Sequence, residues 1–167
     1  MTSYLLPIAD RQPLLWILAE SRTAFAEHRR REAEALEVGD SLLLYTTRGC
    51  FRNPTRDRGR VIGRARVARP VRRVDEPVCF GEAIYPHLVE LEIETLAPLR
   101  QGLELALLVP RLRKTFPDAG SWSARMRRAL VPLDPADAWL IDDHLAPFVR
   151  PYATAIDTYK TLHASRR

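Results

Sequence analysis

An alternation of apolar and acidic residues between Val89 and Glu94 is the feature that most constrains the fold of this chain. Valine, leucine and isoleucine occupy positions 89, 91 and 93, and glutamates occupy positions 90, 92 and 94. Because successive side chains of a β-strand point to opposite faces, this pattern predicts a strand with one face against a core and the other toward solvent or a basic neighbour. Such half-buried strands are typical of antiparallel sheets.

Three further segments have the composition of strands. The short apolar runs Ser3 to Ile8 and Ser41 to Thr46 predict buried strands. Between Val61 and Val67, small apolar residues alternate with positions that include two arginines, which predicts one apolar strand face and one basic face. Residues 122–133 are expected to be extended.

Four segments are predicted to be helical. The first follows Asp10, a capping residue, and has an apolar face at positions 14, 15, 17 and 18. Residues 27–36 form a second, highly charged helix. The third begins at Asp134 as cap with Pro135 in its first turn, and is expected to direct Trp139 and Leu140 inward. Residues 148–167 form a C-terminal helical tail with a weak apolar face that packs either on the domain or on a partner.

This order of elements predicts an α+β domain with a small, mixed or largely antiparallel sheet or β-barrel and flanking helices. The 167 residues are enough for about one domain. No apolar run reaches the roughly 18 residues that a membrane-spanning helix needs, and no secretory leader is recognisable, so we expect a cytoplasmic protein. Cys50 and Cys79 fit no metal-binding spacing and are expected to be thiols.

The segment from Arg48 to Arg73 concentrates the positive charge of the chain. It holds ten arginines and one acid, Asp57, so its net charge is +9, against +5 for the whole chain. A focused basic field attracts polyanions, which favours a nucleic-acid partner. The alternative is ordinary solvated charge, because arginine outnumbers lysine 24 to 2 in the whole sequence.

The sequence lacks the common signatures of dinucleotide, phosphoryl-transfer, acyl-transfer and zinc-hydrolase sites. His28 and Glu32 stand at helical spacing on a face crowded with arginine, which an ion pair explains more simply than a metal or base role. We therefore expect no metal and no cofactor.

Aromatic and hydroxyl side chains near the basic residues are candidates for a base pocket, since bases stack on aromatic faces. Tyr45, Thr46 and Thr47 leave a predicted buried strand toward the arginine segment, although Tyr45 fits a core equally well. Trp122 and Ser123 precede Arg125, Arg127 and Arg128 after a flexible Gly-Ser pair. Trp16 and Trp139 lie on apolar helical faces and are expected to be core.

Several short segments occur in the order and spacing of a known family. They are residues 4–6 (Tyr-Leu-Leu), 38–40 (Val-Gly-Asp), 43–45 (Leu-Leu-Tyr), 61–65 (Val-Ile-Gly-Arg-Ala), the alternating strand 89–94, residues 127–133, and the acidic helix start that precedes Trp139. Together they resemble the EVE domain of the PUA-like superfamily, which also includes the YTH and ASCH domains. The resemblance covers the chain from about Ser3 to Pro147, so residues 1–147 are predicted to be one domain and residues 148–167 a tail.

The resemblance implies a small β-barrel with flanking helices that binds nucleic acid on its concave face and takes a modified base into an aromatic-lined pocket. By position, Tyr4 falls where the family often has tryptophan, Tyr45 to Thr47 fall on the pocket-edge strand, and Phe25 stands in for the pocket tryptophan after the first helix. The usual W-x-G-V-R-N segment is missing, and the insertion of residues 50–60 is longer and more basic than usual.

The leading hypothesis is a non-enzymatic module that binds DNA or RNA. The candidate phosphate-binding residues are Arg48, Arg52, Arg56, Arg58, Arg60, Arg125 and Arg127, and the candidate base pocket consists of Tyr4, Phe25, Tyr45, Thr46, Thr47, Trp122 and Ser123. One alternative is a metal-independent, RNA-cleaving enzyme of the ASCH type that uses Lys114, Tyr85 and His87. The other is an adaptor that binds a protein partner, or a second copy of itself, through the tail.

Overall fold

The computed structural model describes residues 1–164. The strands are β1 (Ser3–Ile8), β2 (Arg22–Phe25), β3 (Ser41–Thr46), β4 (Arg60–Val67), β5 (Arg72–Phe80), β6 (Ala83–Leu96), β7 (Leu103–Glu104), β8 (Val131–Leu133) and β9 (Arg150–Pro151). The helices are α1 (Arg11–Glu20), α2 (Arg30–Glu34), α3 (Leu105–Leu108), α4 (Trp122–Arg125), α5 (Pro135–Leu145), α6 (Tyr152–Ala155) and α7 (Thr161–Ala164), with short 3-10 turns between several of them.

The strands form one mixed sheet that curls into a half-barrel. Its main order is β2-β6-β4-β3-β1-β8, with β5 and β9 also paired to β6 and β7 paired to β4. Strands β1 and β3 are parallel, and the other pairs are antiparallel. A parallel pair needs a crossover connection, and here α1, β2 and α2 provide it. The predicted α+β fold with a small mixed sheet and flanking helices is confirmed.

Strand β6 joins the two halves of the sheet. The predicted strand from Val89 to Glu94 is confirmed and lies within this 14-residue strand. The first half of β6 pairs with β5 and β2, and the second half pairs with β4 and β9. Gly63 of β4 permits the close approach to β6, because a Cβ at that position would lie 2.2 Å from the carbonyl oxygen of Thr95.

Two apolar cores lie on opposite faces of the central strands. Leu42 and Leu44 of β3 enter the first core, whereas Leu43 and Tyr45 enter the second. Helix α1 closes the first core with Leu14, Ile17 and Leu18. Residues from α3, from the loop before α4 and from α5 close the second core; they include Leu105, Leu108, Leu112, Phe116 and Ile141.

Strand β4 departs from the simple alternation predicted for it. Val61 lies in the second core, whereas Ile62, Ala65 and Val67 lie in the first. A shift of register between Arg64 and Ala65 in the pairing with β6 changes the phase of the alternation.

Trp139 and the segment from Trp122 to Arg125 differ from their predictions. Trp139 is 66% exposed, because the buried face of α5 is formed by Ala138, Ile141 and Leu145 at spacings of three and four. Residues Trp122–Arg125 form a helical turn and are not extended. The cap at Asp134 is confirmed, since its carboxylate accepts a hydrogen bond from the backbone N–H of Ala136 at 2.9 Å.

The tail from residue 148 packs against the domain. Ala155, Tyr159 and Leu162 are buried in the first core. The hydroxyl of Tyr159 donates to the carbonyl oxygen of Ala97 at 2.8 Å, and that of Tyr152 donates to the carbonyl oxygen of Leu18. Residues 165–167 of the tail lie outside the described residues, and the domain boundary at 147 stays a prediction.

Two other expectations concern membranes and cysteines. Among residues 1–164 no helix has the length and apolar character required to cross a bilayer. Cys50 and Cys79 are both free thiols, as predicted. Cys50 is buried, and its burial raises the pKa of the thiol to about 12.

Candidate functional site

A cavity of about 600 Å³ lies between α1, β2, the hairpin of β5 and β6, and the segment that precedes β8. Four aromatic side chains line it: Trp16, Phe25, Phe80 and Tyr85. The ring of Phe80 meets Trp16 edge-on at a centroid distance of 5.9 Å and lies 5.7 Å from the ring of Tyr85. These contacts hold the aromatic wall in one arrangement.

The local sequence explains how the aromatic residues reach the cavity. Trp16 stands beside the buried face of α1, so it is half-buried and borders both core and cavity. Phe25 ends β2 and is almost fully buried. A two-residue turn of Gly81 and Glu82 joins Phe80 to its pairing partner Ala83, and Gly81 adopts a left-handed φ of 61°. Tyr85 lies two residues beyond Ala83, on the same face of the hairpin as Phe80.

The polar groups of the cavity stand around its rim. They are Asp10, His28, Arg29, Arg127 and Arg128. The Asp10 carboxylate accepts from Nε of Arg52 at 3.3 Å, and Arg29 pairs with Glu32 at 2.9 Å. Within residues 1–164, no carboxylate lies within ion-pair distance of Arg127 or Arg128. Both arginines are exposed and available to an anion.

A small polar cluster ties the hairpin to the segment that follows β2. The buried ring of His87 on β6 lies with Nε2 2.8 Å from Oε2 of Glu27, and Arg73 on β5 donates to the same carboxylate oxygen. The hydrogen bonds from His87 and then Arg73 lower the pKa of Glu27. The cluster therefore joins β5 and β6 to Glu27, two residues beyond the end of β2 at Phe25.

Most arginines of the basic segment form ion pairs with acids elsewhere in the chain. Arg64 and Arg66 both reach Glu94, at 3.0 and 2.9 Å, and Arg69 and Arg72 reach Glu90, at 3.1 and 3.7 Å. Arg52, Arg56, Arg58 and Arg73 also have acidic partners. Among the ten, only Arg48 and Arg60 have no carboxylate within ion-pair distance in the described part of the chain. The segment therefore presents much less free positive charge than its composition suggests.

Comparison with known proteins yields a match in structure and none in sequence. No family model and no curated protein matches the chain. Rpa0253 from Rhodopseudomonas palustris is 15% identical, with a TM-score of 0.54 over 87% of this chain and 94% of its own. A hypothetical protein from Leishmania major is 17% identical, with a TM-score of 0.54 over 84% and 92%. Human THYN1, solved in complex with 5-methylcytosine-containing DNA, is 11% identical, with a TM-score of 0.52 over 84% and 95%.

The chain shares its fold with Rpa0253, the Leishmania major protein and human THYN1. At these identities the comparison confirms the fold that the sequence resemblance implied. The proposed ligand and the site residues therefore depend on the geometry of this chain.

The sheet separates most of the candidate base-pocket residues from the cavity. Tyr45 and Thr46 are buried in β3, and Tyr45 belongs to the second core, where burial raises its pKa to about 12. Gly59 covers the ring so closely that a Cβ there would lie 1.9 Å from the Tyr45 hydroxyl oxygen. Thr47 is half-buried just beyond β3, and its backbone N–H donates to the carbonyl oxygen of Ile8 at 3.0 Å.

Trp122 and its neighbours also lie away from the cavity. Trp122 packs on the second core, with its ring edge-on to Phe116 at 6.2 Å between centroids. Ser123 and Arg125 are exposed on α4, and Arg125 donates to the carbonyl oxygen of Thr115. Tyr4 is half-buried against the first core. Of the candidate base-pocket and phosphate-binding residues named from the sequence, Phe25 and Arg127 line the cavity.

Sequence reasoning missed most of the aromatic wall. Trp16 was expected to be core, and Phe80 was not considered. The available signal was the pair Gly81-Glu82, because a glycine followed by a polar residue can form the two-residue turn of a hairpin. Such a turn places Phe80 and Tyr85 on the same face of neighbouring strands. Strands β2 and β5 were not predicted either. Neither has a sustained alternation of apolar and polar residues, and both form by pairing with β6.

Two of the three residues of the enzyme hypothesis lie on β6, and the third, Lys114, lies in the segment between α3 and α4. Lys114 stands 4.0 Å from Asp134 at the start of α5, whereas Tyr85 and His87 are on β6. Tyr85 lines the cavity and His87 is buried beside Glu27. No group of three or more histidine, cysteine or acidic side chains in residues 1–164 could hold a metal ion. Whether the protein is an enzyme stays a prediction.

Proposed function

We propose that this protein is a non-catalytic nucleic-acid-binding module that takes a modified base, extruded from its strand, into the aromatic cavity. The observation that carries the proposal is a cavity with four aromatic side chains in its wall and two arginines on its rim, Arg127 and Arg128, that have no acidic partner among the described residues. The PUA-like fold supports it, since human THYN1 shares the fold and was solved with DNA containing 5-methylcytosine.

The size and lining of the cavity suit a nucleobase. Its volume of about 600 Å³ falls within the range of small-molecule sites. A base stacked on an aromatic side chain gains roughly 1–3 kcal/mol, which offsets the few kcal/mol that extrusion costs. A methyl substituent on the base would add apolar contact with the wall, which favours a methylated base over the plain one.

Polar groups at the rim supply orientation. The Asp10 carboxylate is an acceptor for an exocyclic amino group of the base, and its contact with Arg52 holds it in place. Arg127 and Arg128 contact the phosphates on either side of the extruded nucleotide. Arg48 and Arg60, which have no acidic partner among the described residues, extend the attraction for the strand beyond the cavity.

Substitution of Trp16 tests the proposal. We expect Trp16→Ala to weaken binding to an oligonucleotide with the preferred modified base by about tenfold or more, because one stacking surface is lost. Preference over the unmodified oligonucleotide should fall as well. The measurement is fluorescence anisotropy with an array of oligonucleotides that differ in one modified base, in DNA and in RNA.

Trp122→Ala provides a matched control. Trp122 is also half-buried, but it packs on the second core away from the cavity. Its replacement should leave the preference for the modified base unchanged. The opposite pattern, with loss in Trp122→Ala and none in Trp16→Ala, would contradict the cavity assignment.

A separate experiment tests the absence of catalysis. Labelled RNA incubated with the protein in chelator should remain intact, and cleavage would contradict the non-catalytic assignment.

A further inference from the structure

The segment between α3 and β8 carries positive charge that is largely free. Residues 111–128 contain five arginines and one lysine against a single acid, Asp118, so the net charge of this segment is +5. All six basic residues are exposed. Within the described part of the chain none of the five arginines has a carboxylate at ion-pair distance, and Lys114 has a long contact of 4.0 Å with Asp134. These charges are therefore available to an anion without the displacement of an internal acid.

The basic residues follow one another outward from the cavity. Arg127 and Arg128 stand on its rim, whereas residues 111–126 lie outside its lining. The backbone N–H of Arg128 donates to the carbonyl oxygen of Arg125 at 3.3 Å, so these two arginines are one helical turn apart. The side chain of Arg125 donates to the carbonyl oxygen of Thr115. These contacts connect the rim to the turn that contains Thr115.

That turn presents two more cations on its outer side. The backbone N–H of Phe116 donates to the carbonyl oxygen of Leu112 at 2.8 Å, which closes one helical turn. Leu112, Thr115 and Phe116 are buried, whereas Arg113 and Lys114 are exposed. The exposed cations from the rim to this turn form a basic path, which consists of Arg128, Arg127, Arg125, Lys114 and Arg113.

Glu32 holds the inner end of the basic path in place. Its Oε2 accepts a hydrogen bond from the backbone N–H of Leu130 at 3.0 Å, and its Oε1 lies 2.9 Å from Nη1 of Arg29. Arg29 also donates to the carbonyl oxygen of Arg127 at 3.4 Å. The backbone of the rim is thus tied to α2 and the turn before it. Because this end is already ordered, contact with a ligand costs little additional conformational entropy.

We propose that the basic path binds the sugar–phosphate backbone on one side only of the extruded base. This inference rests on the proposed function of the cavity. The path begins at one wall of the cavity and leads away from it. A strand with its base in the cavity therefore meets the path either with the nucleotides before that base or with those after it. Phosphate contacts carry no sequence information, so the path adds affinity and a fixed strand direction, while the cavity selects the base.

The test uses two single-stranded DNA probes of equal length. One carries its only 5-methylcytosine at the 5′ end and the other at the 3′ end, and both are measured by fluorescence anisotropy. Arg113→Ala/Lys114→Ala should weaken binding of one probe by about tenfold or more and leave the other within about twofold. For the affected probe the slope of log affinity against log salt should fall in magnitude by about 1.4, since each phosphate contact with a single strand contributes roughly 0.7.

Arg150→Ala/Lys160→Ala is the matched control. It also removes two positive charges from exposed positions, but both lie on the C-terminal tail. Arg150 pairs with Leu96, at the end of β6 that is away from the hairpin and the cavity. The control should leave both affinities within about twofold. A loss as large as that of Arg113→Ala/Lys114→Ala would reveal an effect of net charge and would contradict the basic path.

Trp16→Ala separates this inference from the proposed function. It should weaken both probes, because each places its modified base in the cavity. If it does so while Arg113→Ala/Lys114→Ala weakens neither probe, or weakens both equally, the basic path is wrong and the cavity assignment stands. If Trp16→Ala weakens neither probe, the proposed function fails and the one-sided path fails with it.

Discussion

Asp57 shows how one residue stabilises the long loop between β3 and β4. Its side chain is almost fully buried and accepts two hydrogen bonds from Arg56, at 2.9 and 2.8 Å. These bonds, aided by the nearby charges of Arg100 and Arg60, lower the pKa of Asp57 against the opposing effect of burial. A carboxylate in this environment stabilises the folded loop only while it is ionised.

We therefore predict that Asp57 contributes to stability at neutral pH and not in strong acid. Since its folded pKa lies below the ordinary value of 3.8, the contribution is fully present above about pH 4 and is lost as the pH falls through the folded pKa. Asp57→Asn should reduce the free energy of unfolding at pH 7 by at most about 3 kcal/mol, because Arg56 is half-exposed and screened. Urea unfolding at pH 7 and pH 3 measures both values.

The control for this prediction is Asp75→Asn. Asp75 is exposed on β5 and has no ion-pair partner in the described residues, so its replacement should change stability by less than about 0.5 kcal/mol. If the difference between Asp57→Asn and the parent is as large at pH 3 as at pH 7, the charge of Asp57 is not its source.

At the scale of elements, the C-terminal tail is packed into the first core. Tyr159 is 2% exposed within the first core and its hydroxyl donates to the carbonyl oxygen of Ala97, just beyond β6. Burial raises the pKa of Tyr159. The apolar face that a partner protein would need is largely covered by the domain itself. Deletion of the tail is thus expected to alter stability before it alters oligomeric state.

The tail prediction is tested with three variants. Tyr159→Ala should lower the free energy of unfolding by about 3–5 kcal/mol, as expected for loss of a buried aromatic side chain. Tyr159→Phe should cost about 1 kcal/mol, because only the hydrogen bond to Ala97 is removed. Lys160→Ala, on the exposed side of the same turn, should be within about 0.5 kcal/mol of the parent. Denaturant unfolding gives all three, and a Tyr159→Ala protein as stable as the parent would contradict the packing of the tail.

For the whole molecule, the distribution of free charge matters more than the net charge of +5. Eight of the ten arginines between Arg48 and Arg73 have acidic partners, so their charges are largely compensated within the fold. Exposed ion pairs of this kind add little stability. Because these charges are compensated, phosphate groups near the cavity should be attracted mainly to Arg127 and Arg128 on its rim.

Salt dependence of nucleic-acid binding should reveal this difference. The slope of the logarithm of affinity against the logarithm of salt concentration reports the number of phosphate contacts. Arg127→Ala should reduce the magnitude of that slope by about 1, the value for one lost contact. Arg69→Ala should leave the slope unchanged, since Arg69 is also exposed but is paired with Glu90. Equal reductions in the two variants would show that ion pairing does not withhold arginine from the ligand.

The sequence predicts those features that depend on neighbouring residues. The apolar runs of β1 and β3 and the cap at Asp134 are local patterns, and each is confirmed. Two predictions were wrong: Trp139 does not lie on the buried face of α5, and the segment at Trp122 is a helical turn and not extended. In short elements tertiary packing decides the conformation and which side is buried.

The cavity depends on contacts between distant segments. Trp16 and Phe80 meet only because the hairpin of β5 and β6 folds back against α1. The acids that compensate the basic segment also come from elsewhere in the chain, such as Glu27 and Glu94. No pattern within a short window contains these pairings. The family resemblance pointed to Phe25, which lines the cavity, because a resemblance depends on the order of elements and not on local composition.

Strand β6 gives the molecule a graded resistance to opening. Its outer residues, Ala83 to Tyr85, pair only with β5, whereas residues 91–96 are held by β4 and, at their end, by β9. Amide hydrogens of the outer ladder should therefore exchange with deuterium well before those of the inner ladder. A ligand bound at the hairpin should slow the exchange of the outer amide hydrogens and leave the exchange of the inner ones unchanged. The outer hairpin, which lines the cavity, can therefore open locally while the inner part of β6 stays paired within the sheet.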